Sequence, residues 1–305
     1  MNTEKSVRLL STWQYPLPNG VIIRGQRTRP SGKPVIHFVH GTGFSGLTYW
    51  PMLSQLTDYY DLFIHDIQGH GNSDAGRCFY GWDNNALFTS LVWNSFAKDY
   101  PNVPVIGVGH SFGGVLTALM AAENPNSFHS LILLDPVIFS QKMLIGMKVF
   151  KFLRLKSPNP LAHRARKRKN GWESHCAAIS YFKERGIFKN WDDSALQAHI
   201  IHSLYEQETT LLKLKCPPSI EAEVFASFPN NLWAALKKLN VPTHIIHGQQ
   251  SYPFIKHSTS RLQKLNRLVS SQIVSGGHCF MQENPLGIAQ IILTRLTDSF
   301  PKVIK

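Results

Sequence analysis

The chain has 305 residues and a mass of 34.5 kDa, with 43% hydrophobic, 17% charged and 11% aromatic residues. That is apolar material for a sizeable core, which excludes a disordered, collagenous or coiled-coil chain. Its 32 Lys and Arg against 19 Asp and Glu leave +13 at pH 7, and 13 basic against two acidic residues over 140–190 place +11 of that excess in one internal segment.

The first twenty residues lack the unbroken apolar stretch of a secretory signal, and no window approaches the ~20 apolar residues of a membrane span. Cys78, Cys176, Cys216 and Cys279 are scattered, without a C-x-x-C pair or zinc spacing. The expectation is a soluble, cytoplasmic protein with free thiols and no metal site. A basic face confined to one segment, without helix-turn-helix, zinc-finger or RNA-binding signatures, also reads against a nucleic-acid partner.

Two β-type runs, 7–13 and 21–27, flank Pro18-Asn19-Gly20, whose Asn-Gly signals a reverse turn and hence an antiparallel hairpin. Short unbroken apolar runs follow at 35–39, 62–64, 105–108 and 131–134, alternating with helix-length segments that include 87–100 and 113–123. Continuous apolarity suits strands buried on both faces, so the spacing predicts a mostly parallel, doubly wound α/β sheet. After Pro136 the alternation stops for roughly a hundred helical, basic residues. It resumes at 243–247 and 272–274, and a last helix is predicted over 285–298. The reading is a core in two parts, 1–136 and 239–305, with a helical cap, 137–238, inserted after the sixth strand.

Gly109-His110-Ser111-Phe112-Gly113 fits G-x-S-x-G where the strand 105–108 gives way to a helix. Such a sharp turn pushes a serine side chain out of the chain path, and only glycines tolerate the crowding beside it. His40-Gly41-Thr42-Gly43-Phe44 directly follows the strand 35–39, leaving main-chain N–H groups open at the same sheet edge. Acyl transfer needs such donors for its oxyanion, and the expected pair is Thr42, with Gly43 as its neighbouring alternative, and Phe112. Near the end, Gly276-Gly277-His278 follows a strand-like run, which makes His278 the best general base. His110 adjoins the nucleophile but should point away from it. His37, His65, His244 and His247 lie in or beside predicted strands without metal-binding spacing.

These parts, with Asp66-Ile67-Gln68-Gly69-His70-Gly71-Asn72-Ser73 between the two loops, resemble in order the motifs of the α/β-hydrolase superfamily, from about Ser31 onward. The resemblance implies an α/β-hydrolase fold in which Ser111 attacks, His278 is the base and Asp66 belongs to a structural turn. Many members place the acid in G-x-x-D after the strand that follows the cap, but here that stretch reads Gly248-Gln249-Gln250-Ser251. Others place it at the end of the strand before the cap, which here ends Leu133-Leu134-Asp135-Pro136. Asp135 is therefore the expected third member, orienting His278. Asp192 and Asp193 would have to reach in from the cap.

The implied activity is cofactor-independent hydrolysis of a small carboxylic ester with an apolar acyl or alcohol part, through an acyl-enzyme. Amide, thioester or carbon–carbon bond hydrolysis would use the same residues, and a ligand-binding protein with lapsed chemistry is the alternative outside enzymes. Within the cap, 141–156 reads as a helix rich in Met, Leu, Ile and Phe with five interspersed cations. It could line an apolar pocket, meet an anionic membrane surface or attract an acidic substrate.

Overall fold

Aliphatic runs unbroken by charge are stable in a sheet only where both faces are covered. Five of them lie side by side at the centre of this one. The computed structural model describes residues 9–153, 159–183, 185–207 and 211–299. Its strands are β1 (Leu10–Pro16), β2 (Ile22–Thr28), β3 (Val35–Val39), β4 (Asp61–His65), β5 (Val105–His110), β6 (Ser130–Leu134), β7 (Leu204–Glu206), β8 (Leu212–Leu214), β9 (Thr243–Gly248) and β10 (Val269–Val274). Eight form one sheet in the order β1-β2-β4-β3-β5-β6-β9-β10, while β7 and β8 pair separately. The β1–β2 hairpin is antiparallel and turns at Gly20, with φ +83°; β2 joins β4 antiparallel, and the remaining pairs are parallel.

Apart from single turns, the helices are α1 (Trp82–Phe96), α2 (Ser111–Glu123), α3 (Gln141–Phe152), α4 (Pro160–Arg166), α5 (His175–Phe182), α6 (Asp193–Ser203), α7 (Pro218–Ala226), α8 (Leu232–Lys237), α9 (Pro253–Leu265) and α10 (Pro285–Ser299). Alternate strand residues feed two cores. Val35, Val39, Phe63, Leu131 and Ile245 pack on one face with Trp82, Val115 and Leu236 from α1, α2 and α8. Ile36, Phe38, Ile64, Ile132 and Ile246 pack on the other with Ile292 of α10 and with Trp172, Phe182, Phe188 and Trp191 of the segment between β6 and β9. Each such fully buried side chain contributes about 1.5–3 kcal/mol.

The mostly parallel sheet with flanking helices matches the sequence expectation. Four elements differ. α1 begins at Trp82 rather than at residue 87, because Trp82, Ala86, Thr89 and Trp93 already form one buried stripe. α9 is unpredicted, since two of the four residues it buries, Ser258 and Thr259, carry hydroxyls that weaken the apolar period. The β7–β8 pair is too short for an alternating pattern to stand out. The expected first strand began at Val7 and the cap helix reached Arg154 and Lys156; these three residues lie outside the described ones.

β3 is the point where the strand order reverses, with β4 on one side and β5 on the other. In a parallel sheet the crevice at such a point opens beyond the carboxyl ends of the strands. The loops after β3, β5, β6, β9 and β10 all lie at that edge.

Candidate active site

Ser111 opens α2 directly after β5 with φ +54°, a left-handed conformation held by its surroundings. Gly113 makes that turn possible, because a Cβ there would lie 2.3 Å from the carbonyl oxygens of His40 and Val39. Asp135 follows β6 with φ +44°. His278 follows β10 in a loop held by the Gly277 N–H, which donates to the Glu283 carboxylate at 3.0 and 3.2 Å.

The three side chains meet at the sheet edge. His278 Nε2 lies 2.9 Å from Ser111 Oγ and Nδ1 lies 2.5 Å from Asp135 Oδ2. An ionised carboxylate only accepts, so the proton of a neutral imidazole resides on Nδ1 and its lone pair faces the Ser111 hydroxyl. Asp135 is fully buried. Its Oδ1 accepts the Gly248 N–H at 3.1 Å, and its Oδ2 also accepts the Ser251 hydroxyl.

Thr42 and Phe112 border the same cavity as Ser111. Phe112 is the second residue of α2, so its N–H has no intrahelical acceptor. Gly43 has φ +81° and backs onto Glu221, whose Oε1 would be 2.8 Å from a Cβ at that position.

The competing residues are engaged elsewhere. His110 Nε2 meets the main-chain oxygen of His278 at 2.9 Å, and Nδ1 meets the Tyr49 hydroxyl at 2.6 Å; burial holds its pKa well below 6.5. His37, His65, His244 and His247 are buried in the strands. Asp66 accepts the N–H groups of Gly46 and Asn72 at 2.8 and 3.0 Å, fixing the turn that follows β4. Asp192 caps α6 through the Ser194 N–H, and Asp193 pairs with Lys183 at 3.3 Å on the surface. Among the described residues no group of three or more His, Cys, Asp or Glu is placed to hold a metal ion.

Tyr49, Ser251 and Tyr252 have no role in the sequence reading. Tyr49 precedes a short helix and carries no motif. Ser251 stands at the last position of Gly248-Gln249-Gln250-Ser251, where its hydroxyl could have been read as a partner for a carboxylate elsewhere. Tyr252 packs its ring 5.0 Å from that of His278.

The cavity over Ser111 measures about 820 Å³ and is mostly apolar, with Phe44, Trp82, Phe139 and Phe188 in its walls. Met143, Gly146, Met147 and Phe150 of α3 close one side. Ile145, Val149 and Phe152 of the same helix face solvent, 63%, 49% and 85% exposed.

The model of the alpha/beta hydrolase family matches residues 38–291, most of the chain and every residue of the constellation. The chain belongs to the alpha/beta hydrolase family. The chain is 38% identical to the monoglyceride lipase of Rattus norvegicus over 118 residues, 37% of this chain and 38% of that protein. It is 29% identical to the type I acyl-CoA thioesterase mpaH of Penicillium roqueforti over 164 residues, 50% of this chain and 36% of that protein. The chain thus spans well under half the length of both relatives. The peroxisomal alpha-beta-hydrolase Lpx1 of Saccharomyces cerevisiae superimposes with a TM-score of 0.75 at 18% identity, covering 95% of this chain and 88% of that one, a likeness of fold.

Proposed function

We propose that this hydrolase-family chain is a serine hydrolase of carboxylic esters with an apolar acyl part. The observation that carries the proposal is the Ser111–His278–Asp135 line of hydrogen bonds opening onto an apolar cavity of about 820 Å³. The relative named monoglyceride lipase supports the same reading.

In this mechanism His278 Nε2 takes the Ser111 proton as Oγ attacks the carbonyl carbon, and Asp135 stabilises the imidazolium through Nδ1–H. The N–H groups of Thr42 and Phe112 receive the oxyanion, and losing one such donor costs roughly 10² to 10³ in turnover. His278 then protonates the leaving alcohol, and water repeats the cycle on the acyl-enzyme. Residues 137–238 act as the cap that shapes the acyl cavity, with α3 as one wall. The outward face of α3, where Lys142, Lys148 and Lys151 are exposed beside Ile145 and Val149, supports weak contact with an anionic lipid surface. Thioester hydrolysis by the same residues is the second reading, favoured by the relative named acyl-CoA thioesterase.

The test is hydrolysis of p-nitrophenyl esters from acetate to decanoate by the wild-type protein and by Ser111→Ala. Turnover that depends on Ser111 and rises with chain length is expected. No hydrolysis, or equal hydrolysis by Ser111→Ala, overturns the proposal and leaves the non-ester chemistries and the binding-protein reading.

A further inference from the structure

Arg164, Arg168 and Arg185 line the mostly apolar cavity beside Ser111. Their counter-charges differ. Arg168 Nη1 lies 2.5 Å from Glu221 Oε2, with side chains 20% and 9% exposed, so this pair is neutral as a unit. Arg164 and Arg185 have no carboxylate within ion-pair distance among the described residues. Arg185 instead lies over the Tyr181 ring, Cζ 4.2 Å from its centroid, a contact that leaves its N–H edge available.

Both arginines line the cavity that also holds Ser111 and His278. His278 Nε2 delivers its proton to the leaving atom, and the ring of His278 packs 5.0 Å from that of Tyr252. Gly186 and Ile187, next to Arg185, border both the large cavity and a second one of about 210 Å³ that includes His278 and Lys189. The one carboxylate there, Glu283, is occupied by the Gly277 N–H.

We infer that Arg164 and Arg185 form an anion subsite for a leaving group that carries phosphate, so that the substrate joins an apolar acyl chain to a phosphorylated alcohol or thiol. The inference rests on the hydrolase reading above. A guanidinium offers paired N–H donors that match a phosphate's oxygens, and it stays charged at every working pH. The bond broken is the acyl–oxygen or acyl–sulfur bond; the acyl group passes to Ser111 Oγ, the Ser111 proton to the leaving atom, and water releases the acid.

The experiment compares three substrates with one decanoyl chain: decanoyl-coenzyme A, decanoyl lysophosphatidate and monodecanoylglycerol. Each is measured with the full chain and with the Arg164→Gln/Arg185→Gln double variant, at low ionic strength and in about 0.5 M salt. Charge-assisted contacts of this kind are worth roughly ten- to a hundredfold in binding, so at least one phosphorylated substrate should show a KM about tenfold or more below that of the neutral glyceride. The double variant, and high salt with the wild-type chain, should erase that advantage while altering the neutral substrate's KM far less. The preferred phosphorylated substrate distinguishes a thiol from a glycerol source. A neutral glyceride preferred at low salt, or equal losses for all three substrates in the variant, would overturn the subsite. Should the variant not fold, the wild-type salt dependence decides alone. Ser111-dependent hydrolysis without a phosphate preference sinks only this inference, whereas hydrolysis independent of Ser111 sinks the hydrolase reading beneath it.

Discussion

His110 Nε2 lies 2.9 Å from the main-chain oxygen of His278, so the residue before Ser111 holds the backbone of the residue that faces it. A carbonyl only accepts, so Nε2 carries the proton and Nδ1 must accept from the Tyr49 hydroxyl at 2.6 Å. The Tyr49 oxygen in turn accepts the Gly41 N–H at 3.0 Å. One buried chain of hydrogen bonds therefore joins the loop after β3 to the loop after β10.

Removing the middle of that chain should loosen both loops at once. Tyr49→Phe keeps the ring and deletes the hydroxyl, and roughly a tenfold fall in kcat is expected, with KM for a p-nitrophenyl ester changed less than about twofold. Steady-state kinetics on the two proteins checks this. An unchanged kcat would mean that the chain of bonds serves stability alone.

Asp135 and Ser251 share a second relationship, since the Ser251 hydroxyl donates to the same carboxylate oxygen that His278 Nδ1 meets. Asp135→Asn should lower turnover by roughly 10³ to 10⁴ while the melting temperature stays close to wild type. Position 251 already points at that oxygen, so adding Ser251→Asp to Asp135→Asn should recover part of the loss. A full rate in Asp135→Asn would remove Asp135 from the mechanism.

Where local chemistry decides the structure, the sequence is legible. The strand, the glycines and the following helix announce the turn at Ser111, because no other residue type fits 2.3 Å from two carbonyl oxygens at Gly113. The parallel sheet is equally legible, since residues such as Ile36 and Val39 must both be buried although they point to opposite faces. The contacts of Tyr49 and Ser251 are not: they join residues 61 and 116 positions apart, and no local pattern encodes which buried hydroxyl meets which ring or carboxylate. Likewise the pairing of Arg168 with Glu221, 53 positions apart, depends on how the insertion folds back, and a dense run of cations gives no hint of which one is neutralised.

That ion pair yields its own prediction. Glu221→Gln leaves Arg168 partly buried without its counter-charge, and a loss of about 2 kcal/mol is expected, between the values for exposed and buried pairs. Urea unfolding measures it. Replacing both residues by Met should restore much of the stability, and an equal loss in the double variant would show that packing, not charge, is at stake.

Buried histidines set the acid limit. Burial lowers the pKa of His37, His70 and His199 from 6.5 to about 3 and that of His40 to about 4. Between 6.5 and those values the unfolded chain binds more protons, so the contribution is intact above pH 6.5 and is lost as pH falls toward about 3. Each histidine adds about 1.4 kcal/mol per pH unit across its window. Asp66, whose carboxyl burial pushes up, works in the opposite sense, stabilising at low pH and losing that effect as pH rises through its folded value. The net expectation is a steep fall in stability below pH 6.5. Both ring nitrogens of His37 lack partners among the described residues, so His37→Leu should flatten the slope by about one histidine's share. Unfolding curves from neutral to acid pH that keep the wild-type slope in this variant would contradict the assignment.

The most direct test of the proposed hydrolytic centre is covalent. A fluorophosphonate ester reacts with a serine only when a neighbouring base and oxyanion donors activate it. Intact-protein mass spectrometry followed by peptide mapping should find a single adduct on Ser111, absent from Ser111→Ala and greatly slowed in His278→Ala. No adduct, or one that forms equally well in Ser111→Ala, would contradict a nucleophilic Ser111.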